Sequence, residues 1–238
     1  MKISVIIPVF NEINTIEQII KRVKKQEIKK LQIIIVDDFS SDGTREILKN
    51  KIYKYVDKII YHKKNKGKGA AIKTAQNFIS GTIVIIQDAD LEYSPKDYKK
   101  LITPIILKET KVVYGSRVKK NNRYNSTKFT SLYRIFFNHI LTIFSNLLNN
   151  QKLTDAHTCY KVFDAKLFKN LILVEDDFAF CPEVTTKISK LNLNIKEVNI
   201  SYKGRSTEEG KKIGIFDGVR ALYVLIKYKF FVNKIILK

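Results

Sequence analysis

Over the first hundred residues, short apolar runs alternate with stretches of helical spacing. Residues 2–9 are apolar and β-branched and predict a buried strand, closed by Pro8-Val9-Phe10-Asn11-Glu12. Residues 15–25 place Ile16, Ile19, Ile20 and Val23 on one face, the spacing of an amphipathic helix. A second strand over 31–36 stops at the polar run Asp37-Asp38-Phe39-Ser40-Ser41-Asp42-Gly43-Thr44, after which 44–54 is helical. A short strand over 58–62 is followed by a helix over 66–78, entered through Gly67-Lys68-Gly69. A fourth strand, 82–87, ends in Asp88-Ala89-Asp90. Strands and helices alternating at these lengths predict an α/β fold whose mostly parallel sheet is wound in the Rossmann manner and flanked by helices.

Beyond residue 108 the alternation loosens. Residues 111–114 predict another strand, followed by a polar loop over 115–128. Apolar residues at 129, 132, 133, 136, 137, 140, 141, 144, 147 and 148 then predict a strongly amphipathic helix over 129–148. Residues 160–163 and 195–202 read as strands, and 213–238 as a helical tail mixing aromatic with basic residues. The 238 residues suit one large domain over 1–212, which includes the amphipathic helix, with a basic helical segment over 213–238.

Charge narrows the partners. A net charge of +21 favours phosphate-rich molecules: nucleotides, nucleic acid or an anionic membrane surface. With 37 lysines against seven arginines, codon bias is an equally good origin of the excess, so charge alone names no partner. Cys159 and Cys181 have no metal-type spacing and are expected to be reduced core residues. Residues 1–10 lack the pattern of a signal peptide, and no run reaches the roughly 18 uncharged apolar residues that span a bilayer. The expectation is a protein at the cytoplasmic face of a membrane, peripheral to it.

In open parallel sheets, ligands bind beyond the carboxyl ends of the strands. Three such ends are acidic or polar here: Asn11-Glu12, Asp37-Asp38 and Asp88-Ala89-Asp90. The turn after the first strand lacks G-x-G-x-x-G, and no P-loop occurs, which removes the dinucleotide and P-loop readings. Asp88 and Asp90, alternate residues at a strand end, can direct both carboxylates to a hard cation on a nucleotide diphosphate, with Glu92 completing the oxygen shell. Their alternative is ordinary surface acidity. Asp38 is assigned to nucleotide contact and Asp42 to helix capping.

In order along the chain, these motifs resemble the inverting family 2 glycosyltransferases of the GT-A fold, and within them the dolichol-phosphate mannose synthase type. The resemblance rests on Pro8-Val9-Phe10-Asn11-Glu12, the D-D-x-S-x-D-G-T run from Asp37, Gly67-Lys68-Gly69 and Asp88-Ala89-Asp90-Leu91-Glu92. It continues through Gly115-Ser116-Arg117, Asp155 with Tyr160-Lys161-Val162-Phe163, and the run from Tyr202 to Ile213. It implies that Pro8, Phe10, Glu12, Val36 and Asp38 hold base and ribose, and that Asp88, Ala89 and Asp90 meet the diphosphate. It further implies Mg²⁺ or Mn²⁺ on Asp90 and Glu92 with Asp88 beside them, and Arg117, Arg205 and Lys211 on phosphate groups. The reaction implied is sugar transfer, of mannose or glucose type, from a GDP- or UDP-sugar to a polyprenyl phosphate, with Asp90, Arg117, Asp155 and Arg205 as its central residues. Two departures stand out: no transmembrane helices follow, so a partner subunit or interfacial helices would anchor the protein, and the acceptor loop reads Asp155-Ala-His-Thr-Cys-Tyr-Lys. Transfer to a glycan or other polar acceptor, with Asp155 as base, is the nearest rival. A noncatalytic nucleic-acid-binding protein is the outside one, and no nucleic-acid partner is expected.

Overall fold

A computed structural model describes residues 1–118, 132–205, 215–232 and 236–238; side chains are described from Ile135 in the second span and from Phe216 in the third. The elements in chain order are β1 (Ile3–Val9), α1 (Ile16–Lys24), β2 (Leu31–Asp37), α2 (Thr44–Ile47), β3 (Lys58–Tyr61), α3 (Lys68–Gln76), β4 (Ile83–Ile86) and α4 (Tyr98–Ile106). There follow β5 (Val112–Ser116), α5 (Leu132–Asn149), β6 (Lys161–Asp164), α6 (Ala165–Asn170), α7 (Phe180–Lys190), β7 (Ile195–Asn199) and α8 (Ile215–Ile226). After α2 the chain stays coiled to Tyr55, and α8 continues as a wider turn to Phe231.

The strands form one sheet in the order β3-β2-β1-β4-β6-β5-β7. β6 runs antiparallel to both neighbours; every other pairing is parallel. The strands at the centre have apolar residues on both faces, as a sheet covered by helices on each side requires. Ile3, Val5 and Ile7 of β1 pack on α1 with Ile16, Ile19 and Val23, whereas Ile6 faces Ala71, Ile72 and Ala75 of α3. The chain leaves β1 toward β2 on one side and returns through β4 on the other, which opens a crevice at their carboxyl ends.

The structure differs from the sequence reading in several elements. α4, α6 and α7 were not expected. α4 buries a stripe of Tyr98, Leu101 and Ile102 but carries Pro104 inside it, which argues against a helix from sequence. α7 is buried on nearly every side, Glu183, Thr185, Thr186 and Lys187 included, so it shows no apolar stripe. The tail is helical only to Phe231; near its end Leu237 bridges to Leu171, and Lys238 N–H donates to the Asn170 carbonyl. β7 stops at Asn199, and Tyr202 makes a separate bridge to Tyr93. The predicted 129–148 helix is observed as α5, its first residues lying outside the described ones. No helix among the described residues is long and apolar enough to cross a membrane.

Candidate active site

Three turns carry the strand ends into one cleft, and each uses a left-handed non-glycine residue: Asn11 after β1, Phe39 after β2 and Leu91 after β4, at φ of 52°, 69° and 64°. Such backbone is costly and persists where its surroundings hold it. Asn11 N–H donates to Ser40 Oγ, and its side-chain oxygen accepts from Ser41 N–H. Arg45 clamps the second turn, donating to Asp37 and to the His62 carbonyl with its guanidinium over the rings of Phe39 and Tyr61. Behind β4, the side-chain carbonyl of buried Gln87 accepts from Tyr98 and Tyr160 hydroxyls. Asp42 accepts from the Thr44 and Ile13 amides, but the N-cap of α2 is Gly43 and not the expected Asp42, whose bonds close the turn ahead of the helix.

The turns enclose a cavity of about 370 Å³. Of the residues expected at the site, Pro8, Phe10, Glu12, Asp38, Asp88, Ala89, Asp90, Glu92, Arg117 and Arg205 line it. Val36 does not: its side chain is fully buried among α3 residues on the face of the sheet. Lys211 lies outside the described residues. Asp155 is fully buried behind Arg117, its carboxylate taking Arg117 Nε at 2.6 Å and Nη2 at 2.7 Å.

Charge is distributed unevenly along the cavity. Burial, then the neighbouring Asp88 and Glu92, push the Asp90 carboxyl up to about 7, against the pull of Arg205. Arg205 spans the opening: its guanidinium donates to Glu12 at 3.0 and 3.2 Å and to Asp90 at 3.3 Å. The expected metal ligand Glu92 is turned toward the same segment, accepting from Tyr202 hydroxyl at 2.9 Å and Arg205 N–H at 2.7 Å. Both oxygens of Glu92 thus hold the Tyr202–Arg205 stretch against the turn that follows β4. Lys68 at the start of α3 ion-pairs with Asp88, which holds its ammonium above the ordinary lysine range despite burial.

Several lining residues escaped the sequence reading. Lys68, Tyr93, Phe178 and Tyr202 line the cavity; Lys68 stands in the Gly67-Lys68-Gly69 motif and Tyr202 heads the quoted run to Ile213, which were the signals available for those two. Cys159 lines it too, rather than sitting in the core; Cys181 is buried behind, and both thiols are free. His157 shares the wall, and burial, with Lys161 and Arg117 nearby, lowers its imidazole to about 4, so it is neutral at pH 7. Its loop is fixed by Lys161, a fully buried ammonium donating to the Ala156 and Thr158 carbonyls above the Tyr114 ring.

The arrangement can accept a polyphosphate: backbone turns and a carboxylate-lined floor face two arginines and a lysine. The chain is 27% identical over 241 residues to a dolichol-phosphate mannosyltransferase of Pyrococcus furiosus, covering 99% of this chain and 67% of that one. It is 29% identical to a UDP-N-acetylglucosamine–dolichyl-phosphate N-acetylglucosaminyltransferase of Methanococcus voltae, covering 95% and 96%. Its fold superposes on glucosyl-3-phosphoglycerate synthase of Mycobacterium tuberculosis with a TM-score of 0.72 at 16% identity, over 98% of this chain and 81% of that one. The model of the family described as Glycosyl transferase family 2 matches residues 4–172, and the chain belongs to that family.

Proposed function

We propose that this glycosyltransferase moves a hexose, of mannose or glucose type, from a nucleotide-sugar to a polyprenyl phosphate at a membrane surface. The observation that carries the reading is the cavity itself: the ends of β1, β2 and β4 bring Glu12, Asp38, Asp88 and Asp90 opposite Arg117 and Arg205. Relatives named for transfer to dolichyl phosphate across nearly the whole chain support the acceptor class.

The residues divide the work by chemistry. Asp38, with Pro8 and Phe10, faces the base and ribose end of the cleft. Arg205 can exchange its contacts with Glu12 and Asp90 for a phosphate, since a guanidinium fork binds either oxyanion in the same way. Tyr202 lies against the Arg117 guanidinium, 5.2 Å from ring centroid to cation, which keeps that charge at the cavity wall. An acceptor phosphate oxygen is already anionic and needs no base. Asp155 does not serve as one: Arg117 holds its carboxyl down to about 2 despite burial, leaving it a weak proton acceptor.

A divalent cation suits this donor set. The Asp90 carboxyl is raised first by burial and then by Asp88 and Glu92, and Mg²⁺ or Mn²⁺ beside it would favour its ionised form. No group of three or more His, Cys, Asp or Glu among the described residues is arranged to enclose an ion. Asp90 with Asp88 would therefore share the cation with substrate phosphates, a common way of holding Mg²⁺. When bound, the cation would neutralise the departing diphosphate.

The test is a matrix of nucleotide-sugars against polyprenyl phosphate and soluble polar acceptors, with and without Mg²⁺ or Mn²⁺, reading nucleoside diphosphate release. Turnover that requires the lipid phosphate is the expected result. Turnover only with a glycan or other polar acceptor would replace the proposed acceptor.

A further inference from the structure

The second strand end contains a chain of hydrogen bonds that bears on which base the cleft accepts. Asp38 is nearly buried, yet it lines the cavity. Its Oδ1 lies 2.7 Å from His62 Nδ1 and accepts from Lys66 N–H at 2.9 Å; its Oδ2 accepts from Gly67 N–H at 2.7 Å. His62 Nε2 lies 2.9 Å from Thr74 Oγ1 in α3. An ionised carboxylate can only accept, so Nδ1 carries the imidazole proton and Nε2 accepts from the Thr74 hydroxyl. Thr74 thus fixes the tautomer and ring of His62, and His62 fixes Asp38. The His62 backbone is tied as well: its N–H donates to the Asp37 carbonyl, and its own carbonyl accepts from Arg45.

Each carboxylate oxygen has two in-plane acceptor positions. Both on Oδ1 are filled by His62 and Lys66, and one on Oδ2 is filled by Gly67. One position is left, on Oδ2. A uracil-type base, with a single ring N–H between two carbonyls, needs one acceptor. Guanine presents N1–H and an exocyclic amine side by side, and satisfying both takes one position on each oxygen. Cytosine carries a lone pair at the corresponding ring nitrogen and would meet the carboxylate with like charge.

Resting on the nucleotide-sugar reading above, we propose that the donor is a uridine-type nucleotide and that His62 is the positioning residue that sets this choice by occupying Asp38 Oδ1. An unmatched guanine amine beside a filled oxygen loses a hydrogen bond in a dry site, enough for a discrimination of about tenfold or more.

Nucleotide binding to the intact chain tests this by calorimetry with Mg²⁺, using UDP, GDP, CDP and UDP methylated at N3. UDP is expected to bind about tenfold or more tighter than each of the others. In His62→Phe, which frees a position on Oδ1 while keeping a buried ring, the preference for UDP over GDP should narrow severalfold. GDP binding to the wild type as tightly as UDP, or indifference to N3 methylation, overturns the proposal without help from any variant. A UDP preference that survives unchanged in a folded His62→Phe protein removes His62 from it. If no nucleoside diphosphate binds, the nucleotide-sugar reading fails first and this inference with it.

Discussion

Arg117 meets Asp155 at two points, Nε to Oδ2 at 2.6 Å and Nη2 to Oδ1 at 2.7 Å, and its backbone N–H donates to Oδ2 at 3.1 Å. The pair joins the end of β5 to the loop before β6. Asn138 of α5 adds a hydrogen bond to Oδ1, and Glu197 of β7 accepts the Asp155 amide. The Asp155 carboxylate thus ties its loop to the end of β5 and to α5, its amide adds β7, and Arg117 is kept on the cavity wall.

Breaking that pair should be costly, because Asp155→Asn leaves a buried guanidinium without its counter-charge. A loss of about 3 kcal/mol at pH 7 is expected. The pH dependence has a definite sign. Burial opposes ionisation, but Arg117 outweighs it and sets the native carboxyl at about 2, below an unfolded value of about 3.9. The stabilisation is therefore complete above pH 4 and is lost as pH falls toward 2. Urea titrations from pH 7 down to 2 should show a wild-type stability falling more steeply below pH 4 than that of Asp155→Asn. Parallel curves would mean that the pair contributes nothing to folding.

Asp90 has the opposite sign. Its carboxyl is raised by burial and by Asp88 and Glu92, so the fold favours its protonated form. The native state then holds more protons than the unfolded chain between pH 4 and 7, and metal-free stability declines as pH rises through that range. Asp90→Asn should be more stable than wild type at pH 8 without metal, by on the order of 2 kcal/mol, while losing sugar transfer. Divalent cation plus nucleotide should restore stability to the wild type alone, and more strongly at pH 8 than at pH 6. Near-normal turnover in the variant would remove Asp90 from the reaction.

Glycines at two places should respond in opposite directions. A Cβ on Gly69 would sit 2.3 Å from the Glu175 carbonyl oxygen, and Gly67, at φ +97°, is equally tight against Asp176. The donor-side turn at the start of α3 is thus wedged against the 175–177 backbone, whose Asp176 carbonyl accepts from Ala70 N–H. Gly69→Ala should cost about 2–3 kcal/mol and weaken nucleotide binding. In α8, among the described residues a Cβ on Gly218 meets only Leu141 at 3.9 Å, so Gly218→Ala should stabilise by about 0.5–1 kcal/mol. Thermal melts of the two variants moving the same way would contradict this geometry.

Much of this site was legible along the chain. Buried parallel strands read as continuous β-branched runs, and their polar ends, Glu12, Asp38 and Asp90, mark the cavity because ligands gather where strands stop. Asp155 was read from its motif as a site residue, but a motif cannot say that Arg117 stands between it and the cavity. Val36 was implied by the resemblance alone and, within a strand, faces the sheet's packed side. His62 and Phe178 were missed because each acts through a partner distant in sequence, Asp38 and Lys68, that only the fold brings near. Lys161 stands in a quoted motif, but its burial and its hold on the Ala156 and Thr158 carbonyls are visible only in the folded loop. α7 hid because burial on every side erases helical periodicity.

The membrane reading turns on α5 and α8, which pack against each other. One side of α8 is core: Ala221, Val224 and Leu225, with Tyr228 just beyond, are buried. The opposite stripe presents Phe216, Val219, Tyr223 and Ile226, and the following turn adds Phe230 and Phe231. Phe216 is 90% exposed and Phe231 79%; on α5, Leu147 is 77% exposed, beside Phe136, Phe137, Ile143 and Phe144. Apolar side chains left this open mark an interaction surface, and aromatic residues with lysines suit the headgroup boundary. The charge is less available than the sequence implied. Arg220 and Lys227 are already paired with Glu175, and Arg220 also with Asp177, so the tail's attraction to anionic lipid is partly spent within the protein. The apolar stripe should therefore dominate. Sedimentation with phosphatidylcholine vesicles containing phosphatidylglycerol should weaken in high salt without vanishing. Phe216→Ser or Phe231→Ser should each lower partitioning by about tenfold, the worth of one buried aromatic side chain. Lys229→Gln should change it by less than about threefold, one basic residue adding up to about 1 kcal/mol at an anionic surface. Equal losses for the lysine and phenylalanine variants would make attraction to the headgroups the main force. An intact protein that ignores vesicles even at low salt would shift the acceptor from a lipid phosphate to a soluble one.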